Sequence, residues 1–250
     1  MQASLASRLV QVDSLEVCVL VDNVTDSLST VPKDVTNEVS VLRKNGSLKQ
    51  AAGEYRCCAH HGLSLIITAR ADGDRQMLIF DAGPEAYTVT RNGTLLKIPF
   101  GEARAVVLSH GHWDHAGGLV EAVRQVAKAS GGKRVECHVN PGMFVLRGTQ
   151  RHGGEPLPQK PIPSAKELNE AGAIVVNEPK ARLLLESCFY LSGEVPRVTP
   201  YERGLPGHMK RSADGKSWEP DPWIMDERYV AAHVKGKGIV VFTACSHAGV

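Results

Sequence analysis

The feature that most restricts this chain is the run Leu108-Ser-His-Gly-His-Trp-Asp-His-Ala-Gly-Gly118, which sets three histidines and an aspartate within six positions. The β-branched, apolar stretch 103–109 leads directly into it and predicts a short buried strand that stops at His110. Behind it, Leu119, Val120, Val123, Val126 and Ala127 recur at the spacing of an amphipathic helix over 117–130, which Gly131-Gly132 ends. A strand end meeting a helix start is where α/β proteins gather their sites. In an extended segment His110 and His112 project to the same side, so both imidazoles can reach one cation. Asp114 and His115 lie just past the bend and can address a second. Packing alone gives no reason for such a cluster. Imidazole with carboxylate suits one or two Zn²⁺ ions, or Mn²⁺ or Fe²⁺ where oxygen donors are added. An open coordination position on such an ion lowers the pKa of water to about 7.

The rest of the chain frames that run. Strands are predicted over 15–21, 63–69, 76–80, 135–139, 173–176, 182–191 and 239–244. The second and third form a hairpin about Asp72-Gly73-Asp74 that runs into Asp81-Ala-Gly83. Ser164 with Glu167 fits a capping box opening a short helix to about Ala171. The stretches 38–43 and 47–55 read as short strands or a surface excursion. Two segments rich in Gly and Pro, 147–163 and 193–223, read as long loops of the kind that serve as lids. Strands alternating with helices, with hairpins and no linker, give a mixed α/β (α+β) class and one domain over 1–250.

Composition narrows the partners. Twenty-nine basic residues against 27 acidic ones, spread along the chain for a net charge of +2, argue for a small-molecule substrate rather than nucleic acid. No segment approaches the roughly 20 apolar residues that span a bilayer. The start carries no signal-peptide pattern. Six cysteines without a C-x-x-C pair point to a reducing compartment, hence a cytoplasmic protein. Oligomeric state is left open.

The His-x-His-x-Asp-His run, the Leu-Ile-Phe-Asp81-Ala-Gly83 strand end before it and the Gly-Gly-Leu behind it resemble the metallo-β-lactamase superfamily. His61-Gly-Leu-Ser64, Ser192-Gly-Glu-Val-Pro-Arg197 and Val241-Phe-Thr-Ala-Cys-Ser-His247-Ala-Gly249 are similar to the branch named after the archaeal dihydropterin–ribofuranosylaminobenzene phosphate synthases. The likeness runs from about residue 15 to 250. It implies a four-layer αβ/βα sandwich with a dinuclear site at one edge between the sheets. It also implies His110 and His112 on a first ion, Asp114 and His115 on a second, and His247 as a fifth ligand. Asp81 would hold the motif loop by hydrogen bonds, and Asp114 would hold or deprotonate the attacking water. The chain departs from the superfamily in two places: Ser-Gly-Glu194-Val-Pro stands where a histidine turn is usual, and Cys-Ser-His247 where a bridging aspartate is common. The fold's usual last elements and a further histidine would lie beyond Val250, so the sandwich is expected to lack its carboxyl-terminal end.

Other residues have a site reading beside a plain one. His61 can reach the cluster from its strand, whereas its neighbour His60 then faces away. Glu194 is a candidate ligand or substrate contact, and otherwise a solvated acid. Arg197, Arg203, Lys210 and Arg211 can meet a substrate anion or simply be solvated. His208 is the best substrate contact in the second long loop. His138, His152 and His233 default to structural or solvated roles. Trp113, Trp218 and Trp223 line a pocket or pack the loops. Three activities remain open: a hydrolase of small anionic esters, phosphodiesters or lactones; a dihydropterin-type transferase; and a non-catalytic binding protein on a degenerate hydrolase fold.

Overall fold

A computed structural model describes residues 5–150 and 153–247; His152 lies outside them. In chain order the elements are β1 Gln11–Val12, β2 Ser14–Val21, α1 Glu38–Lys44, β3 Ser64–Ala71, β4 Asp74–Phe80, α2 Ala86–Leu96 and β5 Ala103–Val107. There follow α3 Trp113–Ala116, α4 Leu119–Ala129, β6 Val135–Val139, β7 Arg147–Thr149, β8 Leu157–Pro158, α5 Ala165–Ala171 and β9 Ala173–Asn177. The last are β10 Arg182–Leu184, β11 Phe189–Leu191, β12 His208–Arg211, β13 Trp218–Pro220, β14 Val230–Val234 and β15 Gly238–Phe242.

The centre is a six-stranded sheet in the order β2-β3-β4-β5-β6-β9. Its first three strands run antiparallel and the remainder pair in parallel. Strand side chains alternate between faces, and both faces here are apolar. Ile66, Ile79, Val106 and Cys137 join the core under the helices with Leu119, Val123 and Val126 of α4. Ile67, Leu78, Phe80 and Val107 join a second core with Phe189, Leu191, Val230 and Phe242. That second core is closed by a five-stranded sheet in the order β1-β14-β11-β10, with β15 also on β14. Burial on both faces is why β3 to β5 read as nearly continuous apolar runs. Helices, sheet and sheet make three of the four layers that the resemblance implies. Among the described residues no helix follows α5, and β15 leaves Ile239 and Val241 58% and 43% exposed.

Several expectations need correction. Residues 38–44 are helix, not strand: the Asn37 side chain accepts from Ser40 N–H and opens α1. The single strand expected over 182–191 is a hairpin of β10 and β11, folded by left-handed backbone at Leu185, Glu186 and Ser187. The two long loops are not structureless. Each contributes a strand pair, and β13-β12-β7-β8 form a third sheet of four short strands. Helix α5 begins where the capping box places it, with Ser164 and Glu167 each bonding the other's backbone N–H.

Candidate metal centre

Strand β5 ends at Val107, and the chain passes through Ser109–His112 into the single turn α3. Asp81, at the end of β4, organises this passage. It is fully buried, adopts a left-handed φ of 59°, and spends its carboxylate on three donors. Oδ1 accepts from Ser109 N–H at 2.7 Å; Oδ2 accepts from Ser109 Oγ at 2.8 Å and faces His115 Nδ1 at 2.8 Å. With its proton given to Asp81, Ser109 Oγ faces His110 Nδ1, 2.8 Å away, as an acceptor. The Nδ1 proton then sits on that side, and His110 Nε2 is left as a bare acceptor pointing inward. One carboxylate thus orients two histidines.

The inward nitrogens converge. His110 Nε2 lies 3.0 Å from His112 Nδ1 and 3.3 Å from His247 Nε2. His115 Nε2 lies 3.2 Å from Cys245 Sγ and 3.4 Å from Asp114 Oδ2. Two donor groups result, His110–His112–His247 and His110–His115–Cys245, each with its ligand atoms within 4.8 Å of one another. His247 and Cys245 arrive on the turn after β15, where Ser246 takes a φ of 54° and its hydroxyl meets Thr243 Oγ1 at 2.7 Å. Burial, then the positive neighbours around it, pushes His110 well below the usual imidazole range. Burial and His247 push His112 down to about 2. Burial and His208 push His247 down to about 4. Burial opposes protonation of His115, but the charge of Asp81 and the Asp114 hydrogen bond outweigh it and hold this imidazole well above its ordinary range. Asp114 is moved upward by burial and more strongly downward by its hydrogen bond and charge pairing with His115.

These residues fit a divalent cation. Three neutral imidazoles with nitrogens about 3 Å apart cannot all satisfy one another by hydrogen bonds. His112 Nε2 is buried without a hydrogen-bond partner. A cation among them would turn converging lone pairs into ligands. The donors are nitrogen and oxygen with one sulfur, a set suited to Zn²⁺ and its neighbours.

The cluster lies at the floor of a cavity of about 500 Å³. Trp113 and His61 line it, as do Thr149 of the third sheet and Gln159 and Lys160 just after β8. Gly62 lets His61 approach: a Cβ there would stand 2.1 Å from Asp114 O, and His61 Nε2 sits 3.7 Å from Asp114 Oδ2. His208, on β12, brings its ring centroid to 5.1 Å from those of His112 and His247. Two expected contacts are not made. Glu194 is exposed and lies outside the cavity lining. Arg197 is occupied elsewhere, donating to the carbonyls of Val195, Trp223 and Ile224, which fixes its guanidinium against the backbone. Lys210 is 4.0 Å from Asp221, and Arg211 stacks on Trp218 at 4.2 Å, so neither tryptophan nor arginine there faces the cavity. His60 pairs with Glu85 at 3.5 Å. His138 is buried beside Glu136, and His233 meets Gln11 at 3.3 Å. Lys160 was not evident from sequence. Cys245 was visible only as part of the Cys-Ser-His247 run that stands where the superfamily commonly has a bridging aspartate.

A two-sheet sandwich with a histidine-rich donor cluster at the carboxyl ends of its central strands is an arrangement of the metallo-beta-lactamase fold. The family model of the metallo-beta-lactamase superfamily matches residues 67–188, close to half of the chain. It is similar, at 17% identity and a TM-score of 0.59, to the crystal structure of Tm1679, a metal-dependent hydrolase of the beta-lactamase superfamily, covering 94% of this chain and 68% of that one. Among curated proteins of Methanocaldococcus jannaschii it is 29% identical over 86 residues to 7,8-dihydropterin-6-methyl-4-(beta-D-ribofuranosyl)-aminobenzene-5'-phosphate synthase, covering 34% of this chain and 28% of that protein. It is 28% identical over 195 residues to the uncharacterized protein MJ0448, covering 77% of this chain and 65% of that one. The chain thus spans less than two thirds of either curated relative.

Proposed function

We propose that this protein is a metal-dependent hydrolase of small anionic esters, phosphodiesters or lactones. The observation that carries the reading is the convergence of His110, His112 and His247, the last two of which line a cavity that Lys160 also lines. Those three residues would hold a first cation. His115 and Cys245, with Asp114 3.4 Å from His115, would hold a second. A cation so held supplies Lewis acidity, lowering the pKa of water towards 7 and stabilising negative charge that develops on a substrate oxygen.

The chain's own residues supply the rest. Asp81 keeps His110 and His115 in the tautomer and orientation that ligation needs. Asp114, which lines the cavity, would accept a hydrogen bond or a proton from water. Lys160 offers a charge to an anionic group at the far wall, and Trp113 an apolar face to the remainder of the substrate. His61 and His208 border the same space and are substrate contacts in this reading. Purified protein loaded with Zn²⁺ or Mn²⁺ is expected to turn over an activated ester or phosphodiester, and His112→Ala to reduce turnover at least a thousandfold with unchanged circular dichroism. Undiminished turnover in that variant would refute the reading.

The match to the archaeal synthase favours a second reading, transfer chemistry at the same cluster. Release of diphosphate from a pterin diphosphate, with no turnover of simple esters, would select it. Absence of bound metal from carefully purified protein would instead favour a non-catalytic binding role.

A further inference from the structure

Gly111, the residue between the first two histidines of the motif, is gripped on both sides by side chains from distant parts of the chain. Its N–H donates to Asp226 Oδ2 at 2.8 Å, and its carbonyl accepts from Arg147 Nη1 at 3.1 Å. Arg147 and Asp226 are themselves joined by a short ion pair through Nη2 and Oδ1. Arg147 also reaches Asp221 Oδ2 through Nε at 3.2 Å and the Gly142 carbonyl through Nη2 at 3.3 Å. All three side chains are buried, at 4% exposure for Arg147, 2% for Asp226 and 9% for Asp221. No side chain could replace the glycine, because a Cβ there would stand 2.4 Å from Arg147 Nη1 and 2.5 Å from Met143 O.

The location of Arg147 gives the grip its meaning. It opens β7, whose neighbour Thr149 lines the cavity, and β7 pairs with β12, which carries His208. Its other neighbour, β8, leads into Gln159 and Lys160 on the cavity wall. The third sheet and the histidine loop are therefore fastened to each other at one residue, Gly111. We propose that Arg147 and Asp226 are positioning residues: a clamp on Gly111 that presets the His110–His112 spacing and ties it to the substrate-facing sheet. Charge-assisted hydrogen bonds to the N–H and to the carbonyl of Gly111 hold the two successive peptide units on either side of its Cα. One of those units leads to His110 and the other to His112, so the relative setting of the two imidazoles follows from both contacts.

This inference rests on the metal-centre reading for its consequence but not for its test. The first measurement is hydrogen–deuterium exchange on metal-free protein. In Arg147→Met and in the isosteric Asp226→Asn, peptides covering 109–116 and 147–149 are expected to exchange at least tenfold faster than in the parent chain, with β3 and β4 unchanged. Exchange equal to the parent's, or acceleration spread evenly over β3 and β4, overturns the clamp. Should Arg147→Met fail to fold, Asp226→Asn and the charge-preserving Arg147→Lys carry the same comparison. Zn²⁺ titration is the second measurement. Loss of preset geometry is expected to weaken binding about tenfold to a hundredfold, with partial recovery in Arg147→Lys. Faster exchange at the motif with undiminished Zn²⁺ affinity overturns the presetting role. If the parent chain itself binds no Zn²⁺, the metal reading falls, and the exchange result still decides the clamp.

Discussion

At the residue scale the centre depends on Asp81 more than on any one histidine. Its carboxylate, with no exposed surface, takes a backbone N–H, a hydroxyl and an imidazole. Removing a buried charge partner while its donors remain costs about 3–5 kcal/mol. Asp81→Ala is therefore expected to lower unfolding free energy by that order in a denaturant titration, and a loss under about 1 kcal/mol would contradict the argument. Cys245 supports a spectroscopic prediction. Thiolate is a soft ligand, so a Co²⁺-loaded protein is expected to show a sulfur-to-cobalt charge-transfer band in the near ultraviolet, absent in Cys245→Ser. Persistence of the band in that variant would remove Cys245 from the coordination sphere. The contrast between these residues explains what the sequence could reveal. His110, His112, Asp114 and His115 sit within six positions, so local spacing exposes them. Cys245 meets His115 across 130 residues, through the register of β14 on β15, and no local pattern carries that information. Glu194 and Arg197 failed for the opposite reason: they lie in a plausible motif, but the fold turns the one to solvent and the other onto backbone carbonyls.

Elements with strong periodicity were readable. Strands β3 to β6 and helix α4 matched their hydrophobic patterns because each is buried on a defined face. Helix α1 was not, since it has seven residues and only Leu42 is buried. What holds it is polar: Glu38 accepts from Arg56 Nε at 2.9 Å and from Cys57 N–H at 2.7 Å. Burial alone would raise the Glu38 carboxyl, but the Arg56 and Cys57 hydrogen bonds and the Arg56 charge outweigh it and leave it below the usual carboxylate range. A depressed folded-state pKa means that this contribution is present above the unfolded-state value and is lost as pH falls through the folded-state one. Thermal unfolding followed from pH 7 towards pH 3 is expected to fall less steeply in Glu38→Gln than in the parent chain. Parallel curves would show that the Arg56 contact adds nothing.

For the molecule as a whole, the two cores and three sheets build a frame whose working end is a few side chains drawn from distant segments. A ligand that binds only the folded state stabilises it by RT ln(1 + [L]/Kd), about 2.7 kcal/mol at a hundredfold excess over Kd. Zn²⁺ is accordingly expected to raise the unfolding temperature by several degrees, chelator to reverse the rise, and His112→Ala to abolish it. An unchanged midpoint with saturating Zn²⁺ would count against a metal centre. The third sheet escaped sequence reading because its strands have two to four residues, carry Gly and Pro, and pair segments some 60 residues apart. Nothing in either segment alone signals a partner.

His110 and His247 are separated by 137 positions yet meet nitrogen to nitrogen. A chain with only its amino-terminal half organised therefore holds the 110–115 run without the two donors that arrive on the turn after β15. An ion held by both halves of the cluster would require the second sheet to have docked on the first, so its tight uptake would report that assembly is complete.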